Sequence, residues 1–188
     1  MRKLGLPILA AAFLAWSPQL EADVVSTADL LGANEVPSNA SPATGTATLT
    51  LSGDSLHVDI SFLDLVSPAF AAHIHCCTPP GTNTLVAVPF PSFPAATSGT
   101  YANTFDLTMT AVYTSGFLSA HGGTAAGAEA ALIAGLNAGD AYVNIHDAVF
   151  PGGEIRGFAE QLVPEPRYAG LLGLGLIALI FSRRFRLV

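Results

Sequence analysis

Three histidines carry the clearest potential for chemistry in this sequence. His73 and His75 are two residues apart in an apolar segment, and His146 ends a later segment in which apolar and polar residues alternate. Side chains two apart on a β-strand project from one face, about 6.5–7 Å from each other, so the first two imidazoles can share a metal ion. If the two strands are neighbours, His146 adds a third ligand. Imidazoles suit copper or zinc, and because only neutral imidazole ligates, binding should weaken as the pH falls through about 6.5.

A structural role for these histidines is the competing interpretation, and the sequence by itself favours it. Histidines on the outer face of a sheet commonly form hydrogen bonds with backbone carbonyls. Catalysis is the least favoured role, because the sequence shows no nucleophile–base order, no carboxylate pair at acid–base spacing and no glycine-rich phosphate loop. Enzymatic activity therefore stays open, with a non-enzymatic protein preferred.

The adjacent cysteines, Cys76 and Cys77, follow the histidine pair directly and are the only cysteines in the chain. Because consecutive Cα atoms are about 3.8 Å apart, a disulfide between them requires a tight turn. The Thr-Pro-Pro-Gly sequence that follows suits such a turn. A vicinal disulfide is the first interpretation, ahead of a reduced pair, a metal ligand and an intermolecular bridge.

Other polar residues have simpler predicted roles. Glu154 and Arg156 are two residues apart on one face, so they can pair with each other or with the turn; a structural salt bridge is preferred to a ligand site. Asn34-Glu35, shortly before a proline, is predicted to set a bend. His57 lies on an alternating polar face and is predicted to be solvated.

The elements that must position these residues read as β-strands, because apolar and polar residues alternate along most of the chain. Half-buried strands of this kind fit antiparallel sheets. One helix is predicted at 125–137, with Thr124 as its N-cap and Gly139 ending it in a left-handed conformation. The predicted fold is mainly β: an antiparallel β-sandwich or flattened barrel with one short crossover helix, plus terminal apolar helices. The predicted strands include 46–51, 56–62, 101–111, 141–146 and a closing strand at 155–162.

The charge distribution excludes nucleic acid as a partner. The 188-residue chain has a formal net charge of −7. Between Asp23 and Val163 the only base is Arg156, against 12 acids. Nucleic-acid binding needs clustered cations that displace the counterions of phosphate, and this segment has none.

The first 22 residues are predicted to be a secretory signal peptide. Arg2 and Lys3 precede an apolar run that ends at Trp16, and Ala22 is the expected residue before cleavage. A retained membrane anchor is the alternative, although thirteen apolar residues are short for a span.

In the last segment, 163–188, a Pro-Glu-Pro triplet is followed by an apolar run and then by a cluster of arginines. This order of parts resembles a PEP-CTERM sorting signal. An apolar helix predicted at 168–181 would rise about 21 Å, less than the roughly 30 Å hydrocarbon core. The resemblance implies transient anchoring in the inner membrane of a Gram-negative bacterium and processing by an exosortase. The protein would then reach the cell surface or the extracellular space. The residues that carry this resemblance are Pro164, Glu165, Pro166, Arg183, Arg184 and Arg186.

The segment 23–162 contains five separated motifs, from LGANEVP at 31–37 to PGGEIRG at 151–157. In these motifs it resembles a CHRD domain, the domain named after chordin. The resemblance implies an extracellular β-rich module without a defined activity. The sequence departs from the usual pattern at Asp147, where many members have threonine, and at its cysteine pair. The matching motifs are LGANEVP at 31–37, ATG at 43–45, AHIH at 72–75, GDAYVNIH at 139–146 and PGGEIRG at 151–157.

Two functions follow as expectations. The first is an exported surface or matrix protein with a non-enzymatic binding or structural role, whose partners would be exopolysaccharide or surface proteins. The second is a copper- or zinc-binding or redox protein that uses His73, His75 and His146.

Overall fold

The computed structural model describes residues 23–162. The predicted signal peptide, the sorting motif and both terminal apolar helices lie outside the described residues. Within the described range, neither helix is long and apolar enough to cross a membrane.

Nine antiparallel strands form one curled sheet, in the order β5-β4-β7-β8-β1-β2-β3-β6, with β9 also paired to β1. This architecture confirms the predicted mainly β fold of the flattened-barrel type. The strands are β1 Val24–Leu31, β2 Thr44–Ser52, β3 Ser55–Leu63, β4 Ala69–Cys76, β5 Val86–Pro89, β6 Gly99–Asp106, β7 Ala141–Asp147, β8 Ile155–Phe158 and β9 Glu160–Gln161.

Two α-helices accompany the sheet within residues 23–162, where the sequence predicts one. The helix α2, Ala125–Ala138, begins and ends as predicted: the Thr124 side chain accepts a hydrogen bond from Gly127 N, and Gly139 is left-handed with φ of 73°. The other helix, α1 (Ser115–Ala120), has six residues, of which only Phe117 is buried. A helix this short shows no amphipathic period, so its sequence gives no helical signal.

Two predicted strands end differently in the structure. The strand β6 ends at Asp106 instead of running to 111, because the Asp106 carboxylate accepts hydrogen bonds from the backbone N and the hydroxyl of Thr108. Local bonds of this type compete with strand pairing. The predicted closing strand divides at Ala159, whose N donates to Ala141 O of β7, while β9 pairs with β1.

Strand β7 differs most from prediction, because all seven of its residues are buried. Its apolar side chains, including Val143 and Ile145, belong to the main core with Leu132 and Leu136 of α2. Its polar side chains were expected to face water. Instead, the loops at 32–39, 77–85 and 148–154 lie over that face, where they form hydrogen bonds with Asn144, Tyr142 and His146 respectively.

Candidate metal centre

The pairing of β4 with β7 brings the three histidines together. Cα partners across this pair are Ala71 with His146 and His73 with Asn144. His146 is therefore a diagonal neighbour of His73 on one face of the sheet, and His75 follows on the same face. The ring centroids are 5.0 Å apart for His73 and His146, 5.7 Å for His73 and His75, and 6.4 Å for His75 and His146.

Each histidine of this cluster has one buried ring nitrogen that lacks a hydrogen-bond partner among the described residues. These atoms are His73 Nδ1, His75 Nε2 and His146 Nε2. The cluster offers one ligand atom from each residue, all within 4.8 Å of one another. A buried polar atom without a partner costs about 1–3 kcal/mol, so three in one place indicate that the site is built for a group that completes them.

The second ring nitrogen fixes the orientation and the tautomer of two of these imidazoles. His75 Nδ1 lies 2.9 Å from Thr84 O, and His146 Nδ1 lies 3.1 Å from Pro151 O. A carbonyl oxygen only accepts, so each Nδ1 carries the proton and donates it. The Nε2 atoms then present lone pairs, which is the usual arrangement for histidine ligands held by backbone carbonyls.

Burial keeps all three imidazoles neutral near pH 7. Burial and, to a smaller extent, the neighbouring His146 and His75 together lower the pKa of His73 to about 4. Burial also lowers the pKa of His75 to about 4, against the hydrogen bond to Thr84, which raises it. The pKa of His146 is lowered by burial as well, partly offset by the bond to Pro151. Neutral imidazole is the form that binds metal.

The spacing of the ligand atoms is close to that of a three-histidine metal site. With metal–nitrogen bonds of about 2.0–2.1 Å, two ligand nitrogens lie at most about 4.2 Å apart. In a tetrahedral site the nitrogens lie about 3.4 Å apart, so the limit of 4.8 Å in this structure means that metal binding requires side-chain movements of up to about 1.4 Å. His73 and His75 are only partly buried, although the unpartnered ring nitrogen of each is enclosed.

An aromatic and charged layer that the sequence does not reveal lies beside the histidines. The Tyr142 ring stacks on His75, with centroids 4.6 Å apart. The guanidinium of Arg156, a residue of β8, lies 4.7 Å from the centroid of the Tyr142 ring. Tyr142 and Arg156 are 3% and 1% exposed, so this layer belongs to the interior. A signal for it exists only in the alternation of β7, which places Tyr142 on the same face as His146.

Glu35 is the carboxylate of this buried layer, where the sequence predicts only a bend. Its Oε1 accepts a hydrogen bond of 2.5 Å from Asn144 Nδ2, and its Oε2 lies 4.0 Å from Arg156 Nε. Burial raises the pKa of Glu35 to about 7, although Arg156 and the hydrogen bonds lower it. The loop that follows β1 thus contributes an acid to the interior of the domain.

The predicted salt bridge between Glu154 and Arg156 is wrong. Glu154 Oε1 accepts hydrogen bonds from Ser41 Oγ at 2.5 Å and Val66 N at 2.9 Å. Arg156 donates from Nε to Asn34 O at 2.5 Å, in the loop that holds Glu35. The reason is that β8 begins at Ile155, so Glu154 lies outside the strand and the period of two does not apply to it.

The two cysteines do not join the histidine cluster. Cys76 and Cys77 are bonded to each other, and both sulfurs lie against the backbone of α2, at 3.8 Å and 3.2 Å from Ala131 O. Cys76 is 2% exposed, whereas Cys77 is exposed to solvent. A thiolate ligand for the histidine site is therefore not present in this arrangement.

The remaining histidines lie elsewhere. His57 on β3 is exposed and bonds Thr104 Oγ1 at 2.8 Å and Asp59 at 2.9 Å, in keeping with its predicted surface position. His121 follows α1 and packs on Phe117, with ring centroids 4.4 Å apart.

A cleft of about 410 Å³ lies between β1, β8 and the loops at 32–39 and 77–85. None of the three clustered histidines lines it. The Phe158 ring, partly exposed, forms one wall. The other residues that line the cleft are Thr27, Asp29, Asn34, Pro80, Gly81 and Glu160.

Comparison with known proteins gives one match. A family model described as CHRD domain matches residues 26–159, a range that contains the three histidines, the disulfide and the buried Glu35–Arg156 layer. No curated protein and no solved structure matched the chain.

Proposed function

We propose that this chain, which belongs to the CHRD domain family, is an exported protein whose domain binds a first-row transition metal ion at His73, His75 and His146. The ion binds at the three unpartnered imidazole nitrogens. Tyr142 and the loop carbonyls of Thr84 and Pro151 orient the ligands. The proposed role of the three-histidine site is metal binding alone.

One observation carries the proposal: the three histidines each offer a ring nitrogen within 4.8 Å of the others, each has a buried ring nitrogen without a partner, and two of the rings are held by backbone carbonyls. A purely structural role accounts for the bonded nitrogens of His75 and His146. It leaves their other nitrogens, and Nδ1 of His73, buried at a cost that a metal ion removes.

Copper(II) is expected to bind more tightly than zinc. Sites made of nitrogen ligands follow the general order of divalent-metal affinity, in which copper exceeds zinc. Neutral imidazoles suit both ions, and the described residues place no carboxylate with the three histidines that would favour a harder cation.

Export is the second part of the proposal. CHRD domains are typical of extracellular proteins, and the sequence motifs at 1–22 and 163–188 supply the expected signal peptide and exosortase-processed tail. The protein would be anchored transiently in the inner membrane and then reach the cell surface. An oxidising location also suits a chain whose two cysteines are joined.

Metal titration of the purified protein tests the metal site. Wild-type protein should bind one equivalent of copper(II) or zinc, and His146→Ala should weaken binding about as strongly as His75→Ala. His57→Ala is the matched control, because it removes an exposed imidazole on β3 and should leave the affinity unchanged. Equal binding by wild type and the His75→Ala/His146→Ala double variant would refute the site.

A non-enzymatic surface module that binds polysaccharide is the second candidate. The cleft beside Phe158 favours it. The aromatic ring can stack on a sugar ring, and the carboxylates of Asp29 and Glu160, which also line the cleft, can accept hydrogen bonds from the sugar hydroxyls. Phe158→Ala should then abolish retention on an exopolysaccharide column while the metal stoichiometry stays the same. Retention of the variant at the wild-type level would reject this role for the cleft.

A further inference from the structure

We propose that the Cys76–Cys77 disulfide is a redox site that dithiols reduce, and that its redox state regulates the metal affinity of the three-histidine site. This inference rests on the proposed metal site. It follows from where the disulfide lies, between a ligand-bearing strand, the loop above the ligands and helix α2.

The disulfide joins β4 to the loop that orients His75. Cys77 is the first residue of the 77–85 loop, directly after the last residue of β4. Near its end this loop returns to the same strand: Cys76 N donates to Leu85 O at 3.3 Å, and Thr84 Oγ1 donates to Cys76 O at 3.4 Å. The Thr84 carbonyl accepts the Nδ1 proton of His75. A shift at Cys77 therefore reaches a metal ligand through one short loop.

The two cysteines differ in their exposure to solvent, and this difference decides which sulfur a reductant attacks. Cys77 is exposed, so a thiolate of a dithiol can attack its sulfur, while Cys76 is 2% exposed and leaves as a thiolate that takes up a proton. The second thiol of the reductant then attacks the mixed disulfide and releases Cys77 as a thiol. The protein gains two electrons and two protons, and the dithiol becomes a disulfide.

Breaking the bond requires space that the interior lacks. The sulfurs fill the position of a side chain at Gly135 of α2, where a Cβ atom would lie 2.8 Å from Cys77 Sγ and closer still to Cys76 Sγ. Bonded sulfurs are about 2.05 Å apart, whereas nonbonded heavy atoms need roughly 3.5–4 Å. Cys76 is enclosed by the core, so the separation must come from movement of Cys77 and the loop towards solvent.

This movement weakens the support of His75. Loss of a group that orients a ligand typically lowers metal affinity by about 10–100-fold, so the reduced protein should bind metal about tenfold more weakly. Coupling between two sites is reciprocal. Saturating metal should therefore make the disulfide harder to reduce by the same tenfold factor, about 30 mV for a two-electron couple. In a reducing compartment the site releases metal, and in an oxidising one it retains it.

Zinc affinity measured in both redox states tests the proposal, because zinc is not itself reduced. The purified protein is titrated with zinc in the oxidised form, and again after reduction by a dithiol that is then removed without oxygen. A Cys76→Ala/Cys77→Ala variant is the matched control, since it lacks the bond and the thiols. Its affinity should equal that of the reduced wild type and should not respond to the reductant. The midpoint potential of the wild-type disulfide is measured with and without zinc.

An affinity about tenfold lower after reduction, with a potential about 30 mV more negative in zinc, is the expected result. Equal zinc affinity in the two redox states overturns the coupling and leaves the metal site intact. Tighter binding by the reduced wild type, but not by the alanine variant, overturns it in favour of thiolate ligation. Failure of the oxidised protein to bind zinc or copper refutes the metal site itself and the coupling with it. If the alanine variant does not fold, the wild-type affinities and potentials still decide the question.

Discussion

The ring of Tyr142 lies parallel to the imidazole of His75, with centroids 4.6 Å apart and only 4° between the ring planes. The Tyr142 hydroxyl accepts a hydrogen bond from Thr84 N at 3.4 Å, in the residue whose carbonyl bonds His75. Tyr142 thus contacts one ligand directly and supports the loop that orients it. Its ring also meets the guanidinium of Arg156, so it links the histidine cluster to the buried charged layer.

The stacking predicts that Tyr142→Leu weakens zinc binding about tenfold, because outer contacts orient the ligand. Tyr142→Phe keeps the ring and should bind nearly as tightly as the wild type. Isothermal titration with zinc, after circular dichroism has shown that both variants fold, measures the difference. Equal affinities for the two variants would show that the stacked ring does not position His75.

The lowered pKa values change the expected pH dependence of metal binding. Free imidazoles would take up protons below about pH 6.5 and lose the metal there. Since burial lowers the pKa of His73 and His75 to about 4, protons compete with metal only at lower pH. Zinc affinity should therefore change less between pH 7 and 5.5 than it would with ordinary imidazoles, and it should fall steeply below about pH 4. A loss that follows ordinary histidine titration near pH 6.5 would contradict this prediction.

Glu35→Gln should change how stability depends on pH. The pKa of Glu35 is raised from 4.5 to about 7, so the folded protein holds this proton more tightly than the unfolded chain. Its stabilising contribution is complete below pH 4.5 and is lost as the pH rises through 7. The free energy of unfolding of the variant, relative to wild type, should rise over that range and level off above it. Urea unfolding at several pH values measures it, and a difference that stays constant or falls would refute the raised pKa.

Gly135→Ala should destabilise the protein. Alanine favours a helix by about 1 kcal/mol over glycine, but here its Cβ would lie 2.8 Å from Cys77 Sγ and closer to Cys76. Overpacking of this kind costs about 1–3 kcal/mol, so a net loss is expected. Gly116→Ala in α1 is the control, because nothing lies within 4 Å of the added atom, and it should be neutral or stabilising. Thermal unfolding compares the two, and a stabilised Gly135→Ala variant would show that the disulfide does not pack as described.

Removal of the predicted sorting tail should leave the fold intact. Strand β9, Glu160–Gln161, is the last paired element that the structure describes, so a chain ending after Val163 should keep its β-type circular dichroism. It should also lose membrane association. Replacement of Pro164, Glu165 and Pro166 by alanine should leave the precursor in the inner membrane of a host with an exosortase. Normal release of that variant would contradict the sorting motif.

The local geometry of the site follows from sequence alone. Strand side chains have a period of two, so His73 and His75 must share a face whatever the rest of the chain does. The same rule places His146 on the other face of its strand from Val143 and Ile145. The cap residues Thr124 and Gly139 mark the ends of α2 correctly. These features depend on interactions between residues that are close together in the chain, so a single sequence is enough to predict them.

Tertiary structure decided everything that depends on which strands are neighbours. The pairing of β4 with β7 comes from the burial of distant apolar residues, and no local pattern specifies it. The loops that cover the outer face also come from far along the chain, and they convert a face expected to be wet into a buried one. That burial lowers the pKa of His73 and raises the pKa of Glu35, because desolvation depends on what covers a group and not on its sequence neighbours. Glu35 could therefore not be recognised as the acid beside Arg156 until the fold had placed it there.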